Sequence, residues 1–404
     1  MRYVHGRHAA RSTDEYVFCQ LLPYLGNKRH LLDVIAEAVA ATGARPQRST
    51  FVDAFAGSGV VARLAKRLGF AVVANDWEPY ARVVNTAALC VDREPAMPAL
   101  GGYRRALATL EALPGADGWV TRTLCPADDD APDPTRERLF YRRATGRRID
   151  AIRQRVAEWQ EGGAIDDEQA CCLLAPLLYQ ACWLANTSGV FKGFHAGWGG
   201  SNGTALHRIL ADLRLLPLRF LESDRPRHVT AVDAFALPRA LEALDVRADV
   251  VYLDPPYNQH PYASNYHVLN SLVLWDRPAL PPPTTRGFKA GIRPDWRLRR
   301  SPFNERGAAA GAFARLLAEV DAPHVMVSYS TDGLIPVERL VAAAAKHGEV
   351  SAHCRSYRRY RTSPTRPSPR PRTVEFVLRI DRGRRAGGSG ETLARIRAAG
   401  DSEA

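Results

Sequence analysis

Residues 50–90 contain two short apolar runs, each followed by a turn and a helical pattern, and this order constrains the fold more than any other feature. The apolar runs are Thr50–Phe55 and Phe70–Ala74, and the helical patterns cover 60–68 and 78–90. Short continuous apolar runs that alternate with helices are typical of buried parallel strands joined by crossover helices. The sequence therefore predicts an α/β fold with an open, mostly parallel sheet.

The alternation stops after residue 90 and resumes near residue 228. Further strands are predicted at His228–Val232, Asp249–Leu253 and His324–Ser330, and 349–357 and 373–380 are expected to pair as antiparallel strands. The interruption, residues 91–221, has mostly helical patterns, with a helix predicted at 205–221, and contains a long loop of glycine, asparagine and serine at 186–204. Loops of this length are usually functional or disordered, and the aromatic residues of this one argue against disorder.

The turn after the first strand has the sequence Asp53-Ala54-Phe55-Ala56-Gly57-Ser58-Gly59. Glycines let a backbone turn tightly and approach a ligand, and the helix that follows offers free N–H groups. The turn lacks the third glycine of a dinucleotide fingerprint. An acid ahead of it suits a cationic amine better than a pyrophosphate, which points to the amino acid end of S-adenosylmethionine. A purely structural glycine turn would give the same pattern.

Two more acids follow predicted strands. Asp76 can accept hydrogen bonds from ribose hydroxyls, as the comparable acid does in nucleotide-binding α/β folds, or it can cap the next helix. Asp233 has Phe235 beside it, so it can bind an adenine amino group while the ring stacks on Phe235.

The segment Asp254-Pro255-Pro256-Tyr257 directly follows the apolar run Val250–Leu253. Two prolines at a strand end form a stiff turn without N–H donors. The Asp254 carboxylate and the Pro255 carbonyl can therefore accept both hydrogens of an aromatic amino group, which favours attack by its nitrogen on an electrophilic methyl group. Tyr257 can stack on the base, which must leave a duplex before it can bind in this way.

The formal net charge of +12 favours a polyanionic partner. The cations are concentrated in two segments: residues 281–306 carry seven cations and two acids, and residues 351–373 carry seven arginines and no acid. Such concentration suits phosphate contacts, although mobile arginine-rich loops without a ligand would look the same. The residues predicted to contact DNA are Lys192, Phe194, His195, Arg297, Arg299, Arg300, Arg358 and Arg359.

The seven cysteines form no CxxC pair and no zinc-like grouping, so we expect reduced thiols and no metal site. No apolar run reaches the roughly 18 residues of a membrane helix, and the N-terminus has no signal-peptide pattern. These features predict a cytoplasmic protein that does not associate with membranes.

The order of the motifs resembles the Dam-type adenine-specific DNA methyltransferases. The resemblance rests on Tyr24-Leu25-Gly26-Asn27-Lys28, the DxFxGxG pattern at 53–59, Asp76 and the DPPY motif at 254–257. It implies a Rossmann-like seven-stranded methyltransferase sheet, S-adenosylmethionine as cofactor and double-stranded DNA as substrate. The implied regions are a lead-in (1–20), a cofactor-binding half (21–90), an inserted and mostly helical target-recognition region (91–221), a catalytic half (222–380) and a disordered tail (381–404).

The same resemblance implies a role for each motif residue. Tyr24 and Lys28 line the methionine end of the cofactor site. The other implied cofactor contacts are Asp53, Phe55, Gly57 and Gly59 in the turn, Asp76 at the ribose and Asp233 at the adenine. The implied catalytic residues are Asp254, Pro255, Pro256 and Tyr257. A restriction-modification role, with a cognate restriction endonuclease as partner, is a further expectation.

Other functions stay open at this point. The acceptor pair does not by itself distinguish the amino group of adenine from that of cytosine, and RNA is another possible substrate. A catalytically silent DNA-binding module of the same fold is the alternative from a different class. Ring-carbon methylation of cytosine requires an activated cysteine, and the sequence contains no Pro-Cys dipeptide.

Overall fold

The computed structural model describes residues 15–200, 202–358 and 372–401, and the strands within them form one sheet. They are β1 (Thr50–Asp53), β2 (Ala71–Asn75), β3 (Arg227–Thr230), β4 (Val250–Leu253), β5 (His324–Ser330), β6 (Glu349–Arg358) and β7 (Arg372–Asp381). Their order is β3-β2-β1-β4-β5-β7-β6. Neighbours from β3 to β5 are parallel, whereas β7 is antiparallel to both β5 and β6. The predicted Rossmann-like seven-stranded sheet is confirmed.

Helices cover both faces of this sheet and fill the interruption. They are α1 (Glu15–Phe18), α2 (Leu32–Ala41), α3 (Val60–Leu68), α4 (Pro79–Leu89), α5 (Tyr103–Ala112), α6 (Trp119–Leu124), α7 (Arg143–Glu161), α8 (Asp167–Trp183), α9 (Leu206–Ile209), α10 (Leu237–Ala243), α11 (Tyr262–Asn265), α12 (His267–Leu274), α13 (Ala309–Glu319), α14 (Val337–Ala344) and α15 (Ser389–Asp401). Within the described ranges, none of them is long and apolar enough to cross a membrane.

Successive side chains of the central strands enter different hydrophobic cores. On β4, Val251 packs in the core that contains Phe313 of α13, and Val250 packs in the core that contains Ile35 of α2. Side chains of a strand alternate between the two faces of a sheet. Because both faces of the central strands are covered, these strands are mostly apolar, and every residue of β2 and β4 is buried.

The region 91–221 contains α5 to α9 and no strand among its described residues. Its apolar side chains form one core with residues of the flanking fold, including Tyr80 of α4 and Leu269 of α12. The insertion therefore packs directly on the helices that flank the sheet. Its long helix α8 begins at a capping box, in which Asp166 and Gln169 exchange hydrogen bonds with each other's backbone.

The helix predicted at 205–221 is wrong beyond α9, and the chain from Leu210 to Pro226 is irregular. Pro217 disfavours a helical conformation of the residue before it. Two backbone N–H groups of this segment donate to distant side chains instead. Leu215 donates to Glu111 Oε1 at 2.8 Å, and Leu218 donates to the Tyr103 hydroxyl at 3.0 Å.

The ends of the described chain also differ from prediction. The tail 381–404 was expected to be disordered, but α15 lies within it, with Thr392 and Ile396 buried. The Thr392 hydroxyl donates to the Val350 carbonyl of β6 at 3.0 Å. Burial against the sheet stabilises a helix whose composition alone does not indicate one. The lead-in likewise contains α1, whose Tyr16 is buried; residues 1–14 lie outside the described residues.

Candidate active site

A cleft opens where the order of the strands reverses. The chain runs from β1 outward to β2 and β3, then returns to place β4 on the other side of β1. In open α/β sheets, ligands bind outside the carboxyl ends of the strands at such a point. Asp53 is the last residue of β1 and pairs in register with Tyr252 of β4, so the segment after β4 faces the turn after β1.

A cavity with an empty volume of about 820 Å³ occupies this position. Most of the residues that were expected to hold a cofactor lie in its wall, together with two from the DPPY segment: Tyr24, Lys28, Asp53, Phe55, Gly57, Asp76, Asp233, Asp254 and Pro256. Gly59, Pro255 and Tyr257 are not part of the wall itself. Motif residues that are far apart in the sequence therefore meet in one cleft.

The turn between β1 and α3 requires its glycines. Gly57 has φ +50° and Gly59 has φ +81°, in the left-handed region that side chains rarely adopt. A Cβ atom on Gly59 would lie 2.4 Å from Asn85 Oδ1, and one on Gly57 would lie 3.2 Å from the Tyr24 ring. The backbone thus passes close to α4 on one side and to the cavity wall on the other.

Asp53 is a buried acid with an unsatisfied oxygen. Only 1% of the residue is exposed, and its Oδ1 has no hydrogen-bond partner among the described residues. Burial, and then the charge of nearby Asp254, raises the pKa of Asp53 to about 8. An unpartnered carboxylate in a cavity wall is costly unless a cation binds beside it.

Asp76 holds the glycine turn in place. Its Oδ2 accepts a hydrogen bond from the Gly57 N–H at 2.8 Å, and its Oδ1 accepts one from the Glu78 N–H at 2.9 Å. Burial raises the pKa of Asp76 to about 6, while these two hydrogen bonds oppose the rise. Each oxygen retains a second lone pair, so Asp76 can order the turn and still accept from a ligand.

Asp233 begins a short 3-10 helix, Ala234–Ala236, by accepting a hydrogen bond from the Phe235 N–H at 2.8 Å. The Phe235 ring is stacked on Phe303, with centroids 6.0 Å apart, and Phe55 meets Phe303 edge to face at 5.8 Å. All four residues line the cavity. This end of the cleft therefore offers flat apolar surfaces beside a carboxylate, which suits a heteroaromatic ring.

Asp254 forms a buried ion pair with Lys28, whose Nζ lies 2.7 Å from Asp254 Oδ2. The same ammonium group donates to the Gly26 carbonyl at 2.8 Å and lies 5.3 Å from the centroid of the Tyr257 ring. Burial alone would lower the pKa of Lys28, but Asp254 keeps it well above its ordinary value. Burial raises the pKa of Asp254, and the ammonium group opposes that rise. Oδ1 of Asp254 remains without a partner among the described residues.

Tyrosines join the turn at Tyr24 to the segment after the DPPY motif. The Tyr24 ring stacks on Tyr262 and Tyr266, with centroids 5.0 and 4.8 Å away. The Tyr266 hydroxyl accepts a hydrogen bond from the Leu25 N–H at 2.7 Å, and the Tyr262 hydroxyl donates to the Leu25 carbonyl at 3.2 Å. Sequence reasoning missed these contacts.

Glu78 is a further cavity residue that sequence reasoning missed. It is buried, and its Oε2 accepts a hydrogen bond from Asn270 Nδ2 at 2.7 Å. Burial raises the pKa of Glu78 to about 7, and its Oε1 has no partner among the described residues. The only sequence signal was its position two residues after Asp76.

No group of three or more metal-ligating side chains occurs in the part of the chain that the structure describes.

The loop around Lys192, Phe194 and His195 is ordered by Asn186. The fully buried Asn186 side chain donates to the carbonyls of Leu139, His195 and Gly197 at 3.1–3.3 Å. Phe194 packs edge to face on Phe140 at 5.2 Å, and His195 Nε2 lies 3.5 Å from Ser188 Oγ. Lys192 is half-buried, which lowers its pKa. None of the three predicted DNA contacts in this loop lines the cavity.

The basic segment near residue 297 combines exposed and structural cations. Arg297 and Arg300 are exposed, and Arg299 lies 3.6 Å from Asp295. Arg293, by contrast, is buried and forms ion pairs with Asp276 at 2.6 Å and Asp295 at 3.1 Å. Of the two predicted contacts farther along the chain, Arg358 ends β6, and Arg359 lies outside the described residues.

A parallel sheet of this order, extended by an antiparallel hairpin and with an acid-lined cleft at the ends of β1 and β4, defines an α/β methyltransferase. The sequence model of the D12 class N6 adenine-specific DNA methyltransferases matches residues 24–111 and 221–280, which include every predicted cofactor and catalytic residue. The chain is similar to this family over those residues, as the resemblance predicted. The family therefore favours adenine over cytosine as the substrate base.

Individual relatives agree with this assignment. Type II methyltransferase M.NlaIII of Neisseria lactamica is 29% identical over 343 residues, which is 85% of this chain and 93% of the relative. Type II methyltransferase M.CviAII of Paramecium bursaria Chlorella virus 1 is 26% identical, covering 84% and 92%. Modification methylase LlaI of Lactococcus lactis subsp. lactis is 27% identical over 84% of this chain, but the chain spans only 51% of that relative.

Proposed function

We propose that the enzyme transfers a methyl group from S-adenosylmethionine to the exocyclic amino group of adenine at a specific sequence in double-stranded DNA. The observation that carries this proposal is the meeting of two unsatisfied carboxylate oxygens, Asp53 Oδ1 and Asp254 Oδ1, in residues that line one cavity. Asp53 Oδ1 suits the cationic amine of the cofactor, and Asp254 Oδ1 suits the amino group of the base. The relatives are named as modification methylases and type II methyltransferases, which supports a role in restriction-modification with a cognate endonuclease in the cytoplasm.

The residues of the cleft fit the proposed cofactor. S-adenosylmethionine, when bound, supplies an electrophilic methyl group. Oδ1 of Asp53 has no hydrogen-bond partner among the described residues, and its position after β1 suits an amino acid ammonium group. Asp76 has lone pairs free for ribose hydroxyls, and Asp233 with Phe235 suits an adenine ring. Gly57, with φ +50°, lets the turn pass close beside Tyr24 in the cavity wall.

The catalytic step depends on positioning and on electrostatics. Asp254 Oδ1 and the Pro255 carbonyl would accept the two hydrogens of the adenine amino group, which orients the nitrogen lone pair toward the methyl group. Lys28 holds the Asp254 carboxylate in place through Oδ2 and leaves Oδ1 free. Tyr257, which packs edge to face on Tyr329 at 5.6 Å, would stack on the base. For a duplex substrate, the adenine first has to leave the helix.

Nucleoside analysis tests this function directly. Duplex DNA is incubated with the enzyme and methyl-labelled S-adenosylmethionine, and the product nucleosides are separated. We expect the label in N6-methyladenine. Label found only in 4-methylcytosine would contradict the assignment, and DNA binding without any methylation would favour a silent binding module. Sequencing host DNA with and without the gene then identifies the recognition sequence.

Binding of the cofactor is expected to release a proton near pH 7. With a pKa of about 8, Asp53 is mostly protonated at that pH in the free enzyme, and an adjacent ammonium group favours its ionised form. Calorimetric titration with S-adenosylhomocysteine in two buffers of different ionisation enthalpy measures this release. Asp53→Asn should abolish it. Equal heats of binding in the two buffers for the unmodified enzyme would contradict the prediction.

Charge removal at Arg297, Arg299 and Arg300 is expected to weaken binding to all DNA sequences and to flatten its salt dependence. Each lost phosphate contact lowers the slope of log K against log salt by roughly 0.9. The triple glutamine variant is compared with the unmodified enzyme by fluorescence anisotropy at several salt concentrations. A variant in the exposed Arg45 and Arg48, which precede β1 at the edge opposite the cavity, serves as control. An unchanged slope in the triple variant would exclude phosphate contacts by this segment.

A further inference from the structure

Leu298 is 85% exposed, more than any other exposed large hydrophobic residue of the described chain; the next, Leu216, is 54% exposed. It lies in a short 3-10 helix, Pro294–Arg299. Isolated surface leucines are common and need no explanation. Leu298, however, lies in a segment that hydrogen bonds anchor at both ends, that borders the cavity and that carries several cations.

Both ends of the Leu298 segment are anchored to the catalytic half. On one side, the buried Arg293 guanidinium donates to both carboxylate oxygens of Asp276, at 2.6 and 2.7 Å, and to those of Asp295 at 3.1 Å. On the other side, Asn304 Nδ2 donates to the carbonyl of Asn258, next to the DPPY motif, at 2.7 Å. The segment therefore projects from a fixed base that is bonded to the catalytic loop.

The segment also borders the cavity. Ser301 and Phe303 line the cavity wall. Leu298 precedes Ser301 by three residues, so their Cα atoms are at most about 11 Å apart even in a fully extended chain. Leu298 therefore lies near the cleft that contains Asp254.

The residues that surround Leu298 are cationic. Arg297 and Arg300 are exposed on either side of it, and Arg299 is partly exposed beside Asp295. Proteins that open the base stack combine an apolar side chain that inserts between bases with cations that contact the flanking phosphates. Arg299 and Arg300 pair with Asp295 and Glu305, but residues 293–300 still carry four arginines and only one acid, so the segment suits duplex DNA better than an apolar protein partner.

We propose that Leu298 inserts into the base stack beside the target and fills the space that the adenine leaves when it enters the cavity. The inference rests on the proposed methylation of adenine in duplex DNA and adds the residue that keeps the base extruded. Leu298 is then a positioning residue, because it touches the neighbouring bases and not the reacting nitrogen.

The test uses the full-length enzyme with two duplexes that carry the sequence methylated by the unmodified enzyme. In one duplex the target adenine is paired with thymine; in the other it faces an abasic site, so no pair has to be broken. Because opening a stacked pair is unfavourable, we expect Leu298→Ala to reduce kcat/KM on the paired duplex by on the order of 10- to 100-fold. On the abasic duplex its kcat/KM should lie within about threefold of the unmodified enzyme, since the base is already free.

Two further variants complete the design. Leu298→Met keeps an apolar side chain of similar volume and should retain most of the activity on the paired duplex. Leu244→Ala, at an exposed leucine that precedes β4 at the opposite edge of the sheet, should leave kcat/KM on both duplexes unchanged. With 2-aminopurine at the target position, the rise in emission on binding should be smaller for Leu298→Ala than for the unmodified enzyme.

Each result separates the inference from the function on which it rests. If the unmodified enzyme methylates DNA and Leu298→Ala equals it on the paired duplex, Leu298 is not an inserting residue, but the proposed function stands. An equal loss of kcat/KM on both duplexes would also overturn the inference, because Leu298 would then be an ordinary DNA-binding contact. If the unmodified enzyme methylates neither duplex nor any other DNA, both proposals fail together.

Discussion

Asp254→Asn is expected to lower kcat for methyl transfer by on the order of 10²- to 10³-fold or more, while cofactor and DNA binding persist. The carboxylate has one oxygen held by Lys28 at 2.7 Å and a second without a partner among the described residues, so the second oxygen is the group available to an incoming amino group. The amide has nearly the same shape but lacks the negative charge that favours positive charge developing on the amino nitrogen. Single-turnover methylation measures the loss, and fluorescence anisotropy measures DNA binding.

A matched variant controls for the chemistry of the substitution. Asp245→Asn makes the same change at an exposed acid with φ +52°, before β4 and at the edge of the sheet opposite the cavity. Asparagine tolerates this left-handed conformation, so both activity and thermal stability should be unchanged. A variant at Asp254 that keeps more than a tenth of the original kcat would remove this residue from the catalytic step.

Much of this site could be predicted because its parts are short local patterns. The apolar runs of β1 and β4, the glycine turn and the DPPY motif are each contiguous, and parallel strands place their carboxyl ends at one edge of the sheet. That β1 and β4 are neighbours in the sheet, by contrast, is not a local pattern. Nothing in either strand alone shows that they pair; the resemblance to a known family implied a seven-stranded sheet, but the pairing of these two strands was not predicted.

Contacts between distant residues could not be predicted in the same way. Lys28 was assigned to the cofactor and Asp254 to the base, but the two form one buried ion pair. Arg293 was counted among the cations of a basic segment, yet it neutralises Asp276, which lies outside that segment. Charge counts along a sequence do not show which cations have buried partners, and therefore overstate what is free to bind phosphate.

The errors in secondary structure have the same cause. Residues 210–221 have helical periodicity, but tertiary partners such as Glu111 and Tyr103 satisfy their backbone. The composition of the tail, rich in glycine, alanine and arginine, suggested disorder, but α15 buries Ile396 against the sheet. Helices in proteins depend mainly on the packing of an apolar face, and one buried isoleucine on a short helix is a weak sequence signal.

Lys28→Met is expected to destabilise the fold by about 3–5 kcal/mol at neutral pH, because it leaves the buried Asp254 carboxylate without its cation. Burial without the ammonium group raises the pKa of Asp254 above its unfolded value, so the folded variant takes up a proton that the unfolded chain releases. The stability of the variant is then fully retained only below the pKa that Asp254 has in the unfolded chain. It is lost as the pH rises toward the higher pKa that Asp254 has in the folded protein. The free energy of unfolding relative to the unmodified enzyme, measured by denaturant titration, should therefore be less affected at pH 5 than at pH 8.

The methylation rate of Lys28→Met should change with pH in the opposite direction. The amino group needs an ionised Asp254 as acceptor, so the rate of the variant should rise between pH 6 and pH 9 while its stability falls. The double variant Lys28→Met/Asp254→Asn removes the buried charge and should be more stable than Lys28→Met alone at pH 8, yet remain inactive at every pH. If the single and double variants were equally stable at pH 8, the destabilisation would come from lost packing and not from the unpaired carboxylate. If the stability of Lys28→Met falls with rising pH while its methylation rate rises, the ionisation of one carboxylate explains both trends. Asp254 is that carboxylate, because it is the partner of Lys28 in the ion pair.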